Sequence, residues 1–496
     1  MDPAFTALPL AALAEAGLAR ARELGAEHAD VRVERVRSQD IALQDGVTQS
    51  AGERVDLGVA VRVVHDGSWG FAAGVELTPA AVAALAEQAV AVAQVAKPMT
   101  LERIELADEP VHADVTWVSS YEQNPFDVPT ARKIARMAEL SRLALGQGPV
   151  AHVRASLEQV QENKFYADSA GTSATQQRVR LHPVVEAHGA DADRGIFDSM
   201  RTLAPPVGRG WEFVADQRRD AEAAELPTLL ADKLAAPSVS AGRYDLVIDP
   251  SNLWLTIHES IGHATELDRA LGYEANYAGT SFATPDKLNS LRYGSPVLNI
   301  TGDRTVEHGL ASIGIDDDGV ATQSWDLVRN GTLVGYQLDR RTAKRYGFER
   351  SNGCAFADSS GHIPIQRMAN VSLEPSPDDV STDDLIGRVD RGIYIVGDRS
   401  WSIDMQRYNF QFTGQRFYAI ENGKLAGQLR DIAYQATTTD FWGAMEAVGG
   451  ASTWVLGGAF NCGKAEPGQV ASVSHGCPSA LFRDIRILNT TEESGR

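Results

Sequence analysis

The stretch HESIGHATELD, residues 258–268, decides how this chain is read. It places two histidines and three carboxylates within eleven residues. His258 is followed directly by Glu259, as in the HExxH helices that bind zinc, but His263 arrives one residue late. An α-helix advances about 100° per residue, so an i,i+4 pair lies roughly 40° apart and an i,i+5 pair roughly 140°. A regular helix therefore cannot aim His258 and His263 at one ion. A wide turn with i→i+5 hydrogen bonds would realign them, and such turns concentrate at functional sites. Gly262, just before His263, makes that distortion cheap.

Upstream, YDLVIDP reads as a strand, and the motif helix starts at Pro250 with Ser251 as its expected N-cap. Leu253, Trp254, Ile257 and Ile261 recur at helical spacing and are expected to face the core. Catalytic zinc takes three protein ligands and keeps one position open for water, whose proton a neighbouring carboxylate removes. Glu259 is placed for that task. Glu266 and Asp268 are nearby candidates for the third ligand, while Cys354, Cys462, Cys477 and His475 are distant ones.

Composition narrows the classes. At 496 residues the chain exceeds one typical core, and 43% hydrophobic with 23% charged residues is ordinary for a globular protein. A net charge of −20 disfavours direct nucleic-acid contact and anionic membranes. No stretch approaches eighteen consecutive apolar residues, so no membrane span is expected. The amphipathic, acidic-flanked start and the three scattered cysteines point to a cytoplasmic chain with reduced thiols.

The fold class expected is α+β. A helix over the first two dozen residues precedes two strand-like runs, ADVRVERVR and SQDIALQDG, and a hairpin turning on Asp66-Gly67. A helix opened by Thr78-Pro79 follows. A second helix–strands–helix run begins near Thr130 and turns at DSAGT. From Gly242 the texture becomes rich in glycine, short strands and turns, with Asn422-Gly423 marking a hairpin. The expected units are an α/β region over 1–115, a middle α/β region over 116–241, and a β-rich domain over 242–496 carrying the metal-binding helix.

Four ordered segments, HESIGHATELD, DDDGVATQSWDLVRNGTLVGYQLDRRTAKRYG, HIPIQRMANV and GGAFNCGK, together resemble the TldD/PmbA family of metallopeptidases in its TldD-type, zinc-bearing form. The resemblance implies that His258, His263 and Cys462 hold Zn2+ and that Glu259 is the catalytic residue. It implies cleavage of peptides or unfolded protein segments, and a dimer, either with itself or with a relative lacking the metal motif. A thiolate suits zinc, which agrees with Cys462. Ala369 stands where the family segment usually has threonine, and the sequence around Asp404 and Tyr408 also departs from the pattern. Arg367 and Asn370 are expected to staple the fold, Cys354 and Cys477 to be buried thiols, and His475 to sit in a solvent-facing loop. Asp268 is expected to support a zinc histidine or end the helix. The alternative is a non-catalytic binding or scaffolding subunit, against which the retained ligands and base argue. No P-loop or dinucleotide fingerprint stands in a strand–turn–helix context.

Overall fold

The computed structural model describes residues 1–146 and 148–493. After a short helical turn, Pro9 breaks the expected first helix, so that α1 spans Leu10–Glu23. The two expected strand runs are one strand, β1 (His28–Gln44), followed by β2 (Val47–His65) and β3 (Ser68–Gly74). The β2–β3 hairpin turns on Asp66 and Gly67, both at positive φ. Helix α2 (Pro79–Ala96) is capped by Thr78, whose side chain accepts from Ala81 N. By length and composition α2 could cross a membrane, but Val82, Leu85, Ala86 and Val90 are buried in the fold.

The middle region supplies β4 (Val115–Val118), α3 (Thr130–Ala144), β5 (Val150–Asp168), β6 (Ser173–Asp191), β7 (Ile196–Arg201) and α4 (Arg218–Ala235). β1 pairs antiparallel with β5 from Asp30–Asp168 to Gln44–Arg154. Both N-terminal regions thus build one seven-stranded sheet, ordered β3-β2-β1-β5-β6-β4 with β7 on β6.

Strand alternation divides that sheet into two faces. Val31, Val33, Ile41 and Leu43 of β1 pack under the helices, with α1 and α2 over one half and α3 and α4 over the other. The opposite face is charged and buried: Asp30, Arg32, Glu34, Arg62, Glu162, Lys164, Arg178 and Arg180. It meets the acidic loop 316–318 of the C-terminal domain. Arg62 reaches Asp318 and Lys164 reaches Asp317, each at 2.8 Å. Buried ion pairs add little net stability, but a mispaired one is costly, so they fix how the two parts seat.

The C-terminal domain runs from β8 (Gly242–Ile248) through α5 (Pro250–Ile257), β9 (Asn370–Leu373), β10 (Arg391–Ile403), β11 (Asn409–Glu421), β12 (Lys424–Leu429), β13 (Ile432–Thr437), β14 (Val455–Lys464), β15 (Gln469–Cys477) and β16 (Ala480–Asn489). The sheet order β10-β8-β16-β13-β11-β12, with an added β10–β11 pairing, closes five strands into a ring. β14 and β15 form a separate two-stranded ribbon. The whole is α+β with a β-rich C-terminal part, as the sequence predicts.

Candidate metal centre

The centre is built at the end of α5. Asp249, rather than Ser251, is the N-cap: its carboxylate accepts from Ser251 N at 2.9 Å, with Pro250 in the first helical position. Leu253, Ile257 and Ile261 are fully buried, whereas Trp254 is half-buried and turned toward the centre.

From His258 to Gly262 the helix becomes a π turn, and His263 N donates to His258 O. This is the wide turn that the i,i+5 spacing demands, and it brings the two imidazole centroids to 4.6 Å. The widened turn frees carbonyls, which neighbours satisfy. Tyr293 OH donates to Ser260 O at 2.5 Å and Gln337 Nε2 donates to Gly262 O at 2.7 Å. Gly262 itself is right-handed, at φ −53°. Its value is space: a Cβ there would sit 2.6 Å from Met368 Sδ.

Cys462 reaches the centre from β14. Its Sγ lies 3.6 Å from His263 Nε2, and the donor atoms of His258, His263 and Cys462 all fall within 4.8 Å of one another. Zinc bonds of about 2.0–2.1 Å to nitrogen and 2.3 Å to sulfur, at a tetrahedral angle, separate two such donors by about 3.6 Å. Arg367 donates to Cys462 O at 2.5 Å and to Gln469 O at 3.1 Å, clamping the ribbon that carries the thiol. Asn370 binds Ala311 N, Ser474 N and Asp303 O, so both residues are structural staples.

The hydrogen-bond pattern sets the tautomers. His475 is wholly buried on β15 and is not in a solvent-facing loop. Its Nδ1 lies 2.8 Å from Val371 O, which can only accept, so Nδ1 carries the proton. His475 Nε2 is then the acceptor for His258 Nδ1–H at 2.7 Å, leaving the His258 Nε2 lone pair free. His263 Nδ1 donates to Glu266 Oε2 at 2.7 Å, leaving its Nε2 lone pair free as well. Two neutral imidazoles with free Nε2 atoms and a thiol 3.6 Å from one of them fit a thiophilic cation such as zinc.

Burial enforces neutrality. It pushes His475 down to about 4, His263 down to about 3 and His258 well below the usual range. It raises the Cys462 thiol to about 11, so a protein without a cation there holds a thiol and not a thiolate. Burial alone would raise Glu266, but Lys464 and the His263 hydrogen bond hold it well below the carboxylate range. Lys464 Nζ sits 2.9 Å from both Glu266 and Asp268. Glu266, and not Asp268, therefore supports a histidine, while Asp268 serves the lysine.

Glu259 is buried beside the centre, and burial raises its carboxyl against the lowering effect of Arg407. Arg407 Nη1 donates to Glu259 Oε2 at 2.6 Å. Arg407 and Lys464 went unseen in the sequence because neither lies in the motif helix and no spacing ties them to it. Cys354 and Cys477 are buried free thiols hydrogen-bonded to Asn352 and to Pro250 O, away from the trio.

Residues 241–489 match the PmbA/TldA metallopeptidase C-terminal domain, and residues 29–93 match domain 1 of the same group. A protein named Metalloprotease, from Methanothermobacter thermautotrophicus, is 28% identical over 94% of this chain and 96% of its own length. The Saccharolobus solfataricus protein named Zinc metalloprotease TldD homolog is 23% identical over 94% of this chain and 98% of its own. In fold the chain is similar to TldE from Thermococcus kodakarensis, with a TM-score of 0.69 at 17% identity over 95% of this chain and 98% of that one. The chain belongs to the PmbA/TldA metallopeptidase family.

Proposed function

We propose that the chain is a zinc-dependent peptidase that hydrolyses peptides or unfolded protein segments with low sequence selectivity. The observation that carries this reading is the convergence of His258 Nε2, His263 Nε2 and Cys462 Sγ beside a buried carboxylate. His258, His263 and Cys462 would hold the ion. When bound, zinc supplies the Lewis acidity that lets water attack a peptide carbonyl at neutral pH.

The chain's own groups do the rest. Glu259 takes the proton of the attacking water and passes it to the departing amine nitrogen. Arg407 anchors Oε2 of Glu259, so proton transfer falls to Oε1. Glu266 and His475 fix the imidazole tautomers that keep both Nε2 lone pairs inward. Among the described residues the β14–β15 ribbon pairs with no third strand, so an extended substrate could be read there through its backbone, which favours low selectivity.

Three buried, unpaired cysteines support action in the reducing cytoplasm, and assembly as a dimer, with itself or with a relative lacking the metal motif, is proposed on the family resemblance. The net charge of −20 supports substrates other than nucleic acid. Inhibition of peptide cleavage by a chelator, with recovery on adding zinc, tests the reading. Cleavage that persists in the metal-stripped protein refutes it.

A further inference from the structure

We propose that a pocket beside the His258–Glu259 pair binds one bulky apolar side chain of the peptide, next to the bond that is cut. This deepens the peptidase reading and rests on it, confining side-chain selectivity to one position of a peptide otherwise read through its backbone. The pocket is a cavity of about 230 Å³ between the N-terminal sheet and the C-terminal domain. Its apolar walls are Val184, Leu203, Pro205, Trp254, Trp401 and Phe460. An apolar cavity of about 150 Å³ already accommodates benzene, so an aromatic or large aliphatic side chain fits.

Position ties the pocket to the reaction. Trp254 lies one helical turn before His258, its ring 6.3 Å from that imidazole and stacked at 13° on His475. Gly457 of β14 lets the indole lie against the strand, since a Cβ there would come 2.7 Å from Trp254 Cγ. From the pocket, β14 runs directly to Cys462. Trp401 lines the same cavity and stands 54% exposed at its mouth. A peptide bond held at Glu259 therefore has a flanking side chain within reach of the cavity.

Charge decides what enters. Arg201 is paired with Asp398 at 2.5 Å, and the other Asp398 oxygen accepts from Trp254 Nε1 at 3.2 Å. Arg399 is paired with Asp198. His182, beside the Phe460 ring, is kept neutral by burial. Every charged side chain on the wall already has its partner, so a charged substrate residue would lose its hydration for no new ion pair. His182 and Val184 project from the β6 face turned toward the C-terminal domain, which gives the N-terminal sheet a share in substrate choice.

The test uses the full-length, zinc-loaded protein and unstructured peptides differing at one position, with Phe, Leu, Ala, Lys or Glu there. Cleavage is followed by mass spectrometry, and peptide affinity is measured on E259Q by fluorescence anisotropy. The expected result is a preference of about tenfold or more for Phe and Leu over Ala, Lys and Glu, in kcat/KM and in affinity. V184W, which fills the cavity, should bring the Phe-to-Ala ratio toward one, and L203F is a second filling variant should the first not fold. Equal affinity for all five peptides, or a Phe-to-Ala ratio that survives both variants, overturns the pocket. Selective binding with no cleavage by the wild type overturns the peptidase reading instead and leaves the pocket standing.

Discussion

Arg407 Nη1 lies 2.6 Å from Glu259 Oε2, so the carboxylate next to the first histidine is held from outside its own helix. Arg407 sits in the turn between β10 and β11 at φ +62°. Its backbone carbonyl accepts from Thr438 Oγ1 at 2.8 Å, and a second guanidinium nitrogen reaches Ala278 O at 3.4 Å. Glu259 is thus positioned by a loop anchored at two further points.

R407A removes the counter-charge and the anchor while leaving the three ligand atoms in place. It should lower kcat/KM by about tenfold to a hundredfold with zinc content unchanged, and R407K should recover part of the loss. Steady-state kinetics with metal analysis on the same preparations checks this. An R407A protein as active as the wild type would remove Arg407 from the mechanism.

E266A and H475A each delete the partner of one imidazole Nδ1–H. Zinc affinity should fall by about tenfold to a hundredfold in each, measured by competition with a chromophoric chelator. Affinity unchanged in both would mean that the tautomers are set by something else.

C462S should weaken zinc retention far more than C477S, because Cys462 Sγ is 3.6 Å from His263 Nε2 while Cys477 Sγ faces Pro250 O. Dialysis against chelator followed by metal analysis gives the ranking. The reverse order would refute Cys462 as the third ligand.

Glu34 reports on the buried seam between the parts. Among the described residues its carboxylate has no hydrogen-bond partner, and burial pushes it up to about 7 despite Lys164 at 3.6 Å and Arg32 at 3.4 Å. With a folded value above the unfolded one, its contribution to stability is full below about pH 4.5 and is lost as pH rises through about 7. E34Q should therefore gain on the wild type between pH 5 and pH 8, by on the order of 2 kcal/mol. Denaturant midpoints at the two pH values check it, and a constant difference would contradict the assignment.

Much of the site was legible because its key residues are local in sequence. The i,i+5 spacing of His258 and His263 demands a wide turn, and the π turn is there. Residues that act across the fold were opaque. His475, Lys464 and Arg407 come from separate strands and a turn, and only the pairing of β14 with β15 and the closure of the ring bring them together. Ser251 looked like the cap because Ser and Asp both cap well, and position alone does not say which carries the extended backbone that Asp249 adopts. The single N-terminal sheet was hidden for a similar reason. The pairing of β1 with β5 joins residues more than a hundred positions apart, which periodicity cannot register.

The most direct test of the zinc peptidase account is the E259Q protein, assayed for metal and for cleavage of an unstructured peptide in one preparation. About one zinc per chain, as in the wild type, with cleavage reduced by a factor of about a hundred or more is the predicted result. Wild-type cleavage by zinc-loaded E259Q would contradict it.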